Sequence, residues 1–432
     1  MKIDIISFKE KVLNNKFVRD SMWSVMGNGI GDFLLLIGGI IIARILGKDL
    51  YGEYGVVKTT MFYIAAFSTL GLGFTATKFV AEYIEKGREE VRAIIVSSLK
   101  ITTVSSSFLC FLLMFFADSI AELANEQNLT VPFRFLGPII ICRALNTTSS
   151  ALLAGMKKFK AIGISTIVSG AILLVFGALL TLFFGVLGSL SALLLSQMIN
   201  VIALLPSLYK EIKGTQTGNK NFTWPLLTFS LPVTLQEFVY AVTNWLTTLI
   251  LARYASLGQI GLWTAAGQWN AIVSAIPGLL SNVILSYLSS NTDNVKSQKM
   301  LMNRMLMINF VSVFIPFVVV CIFSGYISSF YGPSFSGMSS VLNVLMFSSF
   351  FVCLSSVYQS SMIAQSKVWS LFALRLLRDI SITIILYMIL SNGISGSALS
   401  LAYIYLFVYM AYFVLLASFQ SQWLEKCKNK YA

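Results

Sequence analysis

The sequence predicts an all-α integral membrane protein with twelve transmembrane helices, and three observations carry that prediction. Apolar residues make up 56% of the 432 positions and charged ones only 11%, too few to cover the surface of a soluble chain of this size. Apolar runs of span length recur twelve times along the chain. The cations alternate between connections: of 31 Lys and Arg, 23 fall in every second loop, three in the loops between them and five inside spans.

A helix crosses a ~30 Å hydrocarbon core in about 20 residues. Runs of that length lie near 21–45, 55–76, 93–117, 131–154, 161–184, 188–208, 226–251, 262–287, 305–325, 338–363, 370–391 and 397–418. Loops rich in Lys and Arg stay on the cytoplasmic side during insertion. Lys2, Lys9, Lys11, Lys16 and Arg19 open the series, and Lys78, Lys86, Arg88, Arg92 and Lys100 follow. Clusters at 157–160, 210–220, 296–304, 367 and 426–430 complete it, so both termini are expected to be cytoplasmic. The opposite loops offer Arg44, Lys48 and Arg253, with acids such as Asp118, Glu122 and Glu126. The net charge of +13 is therefore a topology signal and no argument for nucleic-acid binding.

Residues 2–18 alternate charges with Ile3, Ile5, Ile6, Phe8, Val12, Leu13 and Phe17. This pattern lacks the apolar core of a cleavable signal peptide and predicts an amphipathic segment, 1–20, on the cytoplasmic surface. The five cysteines are scattered singly, which fits neither a disulfide framework nor a metal site. Histidine is absent, removing the commonest metal ligand and the usual base near neutral pH.

An internal repeat organises the spans. "IIARILGKDLYGEYG" from Ile41 aligns without gaps with "ILARYASLGQIGLWT" from Ile250, an offset of 209 that pairs Arg44 with Arg253 and Gly52 with Gly261. "LLAGMKKF" from Leu152 pairs with "MIAQSKVW" from Met362 at an offset of 210. Two six-helix bundles, 21–208 and 226–418, follow, with a polar cytoplasmic linker at 209–225 and a basic tail at 419–432. Because six is even, both halves enter the membrane in the same direction, related by a pseudo-two-fold axis along the membrane normal.

"ARILGKDLYGEYG" at 43–55 and "LGLGFTATKFVAEY" at 70–83 resemble the first two spans of bacterial polysaccharide (O-antigen type) flippases. These belong to the multidrug/oligosaccharidyl-lipid/polysaccharide exporter (MOP) superfamily, with MATE drug exporters and lipid II flippases. The resemblance implies a V-shaped MATE-like transporter fold around a central cavity. It implies movement of an undecaprenyl-diphosphate-linked oligosaccharide from the cytoplasmic to the outer leaflet of a bacterial inner membrane. A polysaccharide polymerase and a chain-length regulator are the partners it suggests, besides membrane lipids.

The residues supply a site independently. A charge at mid-span costs about 2.5–3.5 kcal/mol on insertion scales and normally faces a cavity or a partner. Arg143 lies near the middle of the fourth span, with Asn146, Thr147 and Ser150 at helical spacing on its face. Its guanidinium suits a phosphate, whose oxygens it can bind as a fork; the alternative is an ion pair that holds the bundle together. Asp32 is equally deep in the first span, on a stripe with Ser24 and Asn28. Gln236, Glu237, Tyr240 and Asn244 form a matching stripe in the seventh, where Glu237 corresponds to Asn28 at the repeat offset. Asp32 and Glu237 are read two ways: as acids coupling transport to an H⁺ or Na⁺ gradient, or as counter-charges to Arg143.

Arg375, Arg378 and Asp379 lie about two turns from the cytoplasmic end of the eleventh span. A pair between Arg375 and Asp379 at i, i+4 leaves Arg378 free for substrate. Lys58, Arg134, Arg375 and Arg378 can each line a cavity or snorkel to the headgroups. Gly27 and Gly31 form a G-x-x-x-G spacing that predicts close helix packing, and Pro232 is placed to bend the seventh span five residues before Glu237. Without His, a large outer loop or a Gly-rich phosphate loop, a membrane polymerase, acyltransferase or ATPase is disfavoured, and no enzyme, metal or cofactor is expected. A MATE-like exporter of drugs or small molecules is the alternative, weakened by five cations in the spans against Asp32, Glu237 and Asp379.

Overall fold

The computed structural model describes residues 16–213, 221–270, 273, 295–365, 367–392 and 396–431. Residues 1–15 of the amphipathic segment, 214–220 of the linker and most of the eighth span, with Pro277, lie outside them. The described residues contain helices and connections and no β-strand. Each predicted span except the second and the eighth coincides with a helix or with part of a long one. Seven described helices are long and apolar enough to cross a bilayer, or eight if a bent pair is counted as one span. The chain is a multi-pass membrane protein.

Two of the helical runs are too long for one crossing. Phe159–Ile212 has 54 residues, which at ~1.5 Å per residue is more than twice the bilayer core. It holds the fifth and sixth spans, which meet at Gly185 (φ 56°, ψ −132°). Lys16–Ser68 likewise breaks at Gly47 (φ 71°, ψ 171°), between the first and second spans. Both conformations are open to glycine at little cost and strained for any residue with a Cβ, so a single glycine turns the chain around.

The second span departs from the expectation of one continuous helix over 55–76. It stops at Ser68 and resumes at Leu72–Tyr83, with Leu70 (φ 48°) and Gly71 (φ 71°) in the left-handed region. Backbone freed within a membrane must find partners nearby, and hydroxyl side chains supply them here. Ser105 donates to the Ser68 carbonyl, while Ser68 Oγ and Thr69 Oγ1 bond the carbonyls of Ala65 (2.7 Å) and Ala66 (2.8 Å).

By packing, the chain forms two compact units. The first comprises the described parts of 1–46 and 56–242, and the second those of 47–55 and 243–432. The start of the seventh span therefore packs with the first unit, and the turn after the first span with the second. In the first unit, Leu72, Val80, Ile94, Ile95, Leu152 and Leu204 form a core that joins the second, third, fourth and sixth spans. The first and fifth spans meet along small residues, as the G-x-x-x-G spacing predicts. A Cβ on Gly27 would stand 2.6 Å from Gly163 Cα, and one on Gly31 would strike Thr166.

In the second unit, Met338–Ala364 packs against Val295–Tyr331 and Ala398–Tyr431, and Val368–Ser391 packs against Ala398–Tyr431. The 47–55 turn is anchored there by Tyr51, which is fully buried, meets the Phe335 ring at 5.9 Å and accepts a hydrogen bond from Gln268.

Candidate functional site

The break in the second span positions a cavity in the first unit. About 230 Å³ in volume, it is lined by Phe62, Ala66, Thr69, Gly71, Gly73, Phe74, Arg143, Thr147 and Glu237. The second span contributes both sides of its break, the fourth span brings Arg143 and Thr147, and the seventh brings Glu237. A Cβ on Gly71 would stand 3.1 Å from the Ser230 carbonyl oxygen and 3.2 Å from Thr234 Oγ1. The broken backbone of one span therefore nests against the other at its bend. There Thr223–Pro232 and Thr234–Tyr254 meet at 54°, where Pro232 removes a helical hydrogen bond.

Arg143 is half-buried, with its guanidinium carbon 5.9 Å from the centroid of the Phe62 ring. Thr147, one turn on, donates to the Arg143 carbonyl at 3.1 Å. Asp32 and Lys58 are close enough to Arg143 to interact with it electrostatically. The structure therefore brings together in one unit four charges predicted from sequence: Arg143 and Glu237 in the cavity wall, Asp32 and Lys58 within range of Arg143. Gln236 is half-buried beside Glu237.

The neighbouring polar residues point elsewhere. Asn146 is buried and donates its amide to Gln197 Oε1 at 2.7 Å and to the Gln197 carbonyl at 3.1 Å, joining the fourth span to the sixth. Asn28 accepts from Thr166 Oγ1 at 3.3 Å beside the glycine seam. Arg134 pairs with Asp118 at 2.8 Å, exposed to solvent on both sides of the contact. Asn244 belongs to the second unit, where its Oδ1 accepts from the Tyr405 hydroxyl at 3.0 Å.

The eleventh span corrects the expected pairing. Arg378 is not the free cation, for it clasps its own neighbour Asp379 through two bonds, Nε to Oδ1 at 2.7 Å and Nη2 to Oδ2 at 2.9 Å. The side chains are 9% and 5% exposed, and the guanidinium lies 5.0 Å and 4.9 Å from the rings of Tyr409 and Tyr412. Arg375 instead donates Nε to Gln359 Oε1 at 3.1 Å, and its Nη2 reaches the same oxygen. A guanidinium out of water needs both a counter-charge and polarisable faces, and the twelfth span offers Arg378 two tyrosines.

Sequence reasoning missed Gln359 and Gln197, uncharged residues whose insertion cost is too small to mark them, and Phe62, one of 33 phenylalanines. It also missed the break at 69–71, although its signal, the run Ser68-Thr69-Leu70-Gly71-Leu72-Gly73, was present.

The chain can now be set beside known proteins. The model of a family described as "Polysaccharide biosynthesis protein" matches residues 17–289, more than half of the chain. A Shigella flexneri protein provisionally named an O-antigen transporter is 22% identical over 397 residues, covering 89% of this chain and 93% of that protein. Stage V sporulation protein B of Bacillus subtilis is 22% identical over 283 residues, 61% of this chain and 54% of that protein. Among solved structures, an inward-facing MATE multidrug transporter of the MOP superfamily superposes with a TM-score of 0.79 at 14% identity, covering 91% of this chain and 96% of that one. The lipid II flippase MurJ, in an inward closed conformation, gives 0.71 at 16% identity, with 92% and 86% covered. At these identities the structural matches establish the fold, which is that of the MATE and MurJ transporters.

Proposed function

The chain belongs to the polysaccharide biosynthesis protein family, and on that premise we propose that it is a flippase for an undecaprenyl-diphosphate-linked oligosaccharide. It works by alternating access, from the cytoplasmic to the outer leaflet of a bacterial inner membrane, with both termini cytoplasmic. Two six-helix halves, 21–208 and 226–418, joined by the 209–225 linker, alternate around the substrate. A polymerase and a chain-length regulator take up the product. The names of two similar proteins support the reading, one given for O-antigen transport and the other for flipping lipid II.

One observation carries the proposal: Arg143 lines a small cavity where the second span is broken. Its guanidinium can fork onto two phosphate oxygens, and an aromatic ring and hydroxyls surround it. At about 230 Å³ the cavity is below the ~300 Å³ at which sites for drug-sized ligands begin. It suits a charged headgroup whose lipid tail stays in the bilayer and whose sugar extends beyond. Lys58 adds positive charge nearby, while Asp32 and Glu237 are the acids through which an H⁺ or Na⁺ gradient is coupled. In the second unit Arg375 is a further cation for the translocation path, whereas Arg378 is held by Asp379.

The direct test reconstitutes the full chain in liposomes and follows movement of a fluorescent polyprenyl-diphosphate sugar between leaflets. Wild-type protein should accelerate it and Arg143→Ala abolish the acceleration. Equal rates with both proteins would sink the proposal.

A further inference from the structure

We propose that an open apolar groove between the third and sixth spans of the first unit holds one acyl chain of an anionic phospholipid, whose headgroup is gripped by Arg92, Lys100, Lys210 and Lys213. Its residues are distinct from those of the Arg143 cavity, and nothing about it depends on what the protein transports.

Three observations carry it. First, the groove measures about 460 Å³ and is lined by Leu99 from the third span and by Leu205, Pro206, Leu208, Tyr209 and Ile212 from the sixth. That volume is within the ~300–1,000 Å³ of small-molecule sites. Positions 205, 208, 209 and 212 form one stripe at helical spacing. Leu208 is its buried floor, while Leu205 and Tyr209 stay 47% and 60% exposed. Apart from the Tyr209 hydroxyl the lining side chains are apolar, as a lipid chain requires.

Second, cations crowd one end of the groove. The sixth-span helix ends at Ile212, and Lys210 and Lys213 are exposed there. The third-span helix, Arg88–Phe115, begins beside that end, since Val91, Ile94 and Ile95 share a core with Leu204, Leu208 and Phe222. Lys100, also exposed, follows Leu99, and side chains on a helix tilt toward its N-terminus, which here is the same end. Two acids nearby are already committed: Glu211 pairs with Lys158 at 2.6 Å, and Glu90 stands against Gly87 at the helix start.

Third, Arg92 Nε is buried and has no hydrogen-bond partner among the described residues. Arg92 precedes Leu99 by two turns on the same face of the helix. A buried donor left unpaired is costly, and a charge-assisted bond to a phosphate oxygen offsets that cost. Within a bilayer the groove alone selects no lipid, because the surrounding tails are as apolar as leucine. Selection falls to the headgroup, which basic pockets between spans prefer to be anionic, and the groove fixes where that headgroup sits.

The test uses the full-length protein in nanodiscs holding phosphatidylethanolamine and phosphatidylglycerol, with native mass spectrometry reading which lipid the chain retains. Wild type should keep phosphatidylglycerol selectively. Lys210→Gln with Lys213→Gln, and Arg92→Gln alone, should each lower that selectivity, by roughly fivefold per cation removed. Leu205→Trp, which fills the groove and leaves the cations in place, should abolish retention. Arg304→Gln, which removes an exposed cation of the second unit, should change nothing.

Equal retention of the two lipids by wild type would overturn the proposal. Full retention by Leu205→Trp would overturn it too, reducing the effect to diffuse attraction between a basic surface and any anion. So would a loss in Arg304→Gln as large as that in the groove variants. A polyprenyl phosphate added as a third lipid should leave phosphatidylglycerol in place on wild type; its displacement would make the groove a seat for a transported lipid and overturn the chosen occupant. Lys210 and Lys213 are exposed, so their double variant decides the matter if Arg92→Gln fails to fold.

Discussion

Gly52 and Gly261 each make room for the other's helix. A Cβ on Gly52 would collide with the carbonyl of Leu257, and one on Gly261 would collide with the carbonyl of Lys48. Residues 48 and 52 become 257 and 261 on adding 209, the offset at which the two halves of the sequence align. The contact is therefore reciprocal under the repeat, as contacts across a two-fold axis are.

That reciprocity makes the two glycines equivalent in their sensitivity to substitution. Gly52→Ala and Gly261→Ala should each destabilise the protein by about 1–3 kcal/mol, as overpacking does. The double variant should cost less than twice as much, since the first substitution already separates the helices. Thermal unfolding in detergent checks this, and strictly additive effects would count against a shared contact.

How much of this was legible beforehand depended on the size of the physical signal. The spans were readable because a bilayer demands long apolar runs, and Arg143 because a mid-span charge is costly enough to be rare. Of the two short matches that suggest the repeat, the one from Ile41 and Ile250 holds Gly52 and Gly261. The bond from Arg375 to Gln359 was not legible, because Gln359 carries no charge. Nor was the clasp of Arg378 on Asp379, since adjacent helical residues do not ordinarily face each other and only Tyr409 and Tyr412 explain it. The break at 69–71 left a local signal in its Ser, Thr and Gly residues, but what satisfies the freed Ser68 carbonyl, Ser105 from 37 residues away in sequence, did not.

The Arg378 clasp makes its own prediction. Arg378→Ala leaves Asp379 buried without its partner, at a cost of about 3–5 kcal/mol. Replacing both by Met and Leu should recover much of that stability. Unfolding curves of the single and double variants separate the outcomes, and a double variant as unstable as Arg378→Ala would contradict an ion pair held mainly against desolvation.

Gly71 links the broken second span to the bent seventh. Gly71→Ala places a Cβ on a residue at φ 71°, within 3.1 Å of the Ser230 carbonyl, so both strain and crowding oppose it. A loss of about 1–2 kcal/mol in stability is expected from the conformation alone. Flipping should slow further as the cavity wall shifts. Wild-type rates in a stably folded Gly71→Ala protein would separate this contact from transport.

Coupling to an ion gradient, if carried by the acids, is removed with them. Asp32→Asn combined with Glu237→Gln should give transport in liposomes that no longer responds to an imposed H⁺ or Na⁺ gradient. A full response in the double variant would remove both residues from the coupling path.

The most direct measurement of the central claim is surface glycan display in cells lacking their own flippase, complemented with wild type, Arg143→Ala or Arg143→Lys at matched protein levels. A required cation in the translocation path predicts display with wild type, loss with Ala and partial display with Lys, which keeps the charge without the fork. Wild-type display with Arg143→Ala would contradict it.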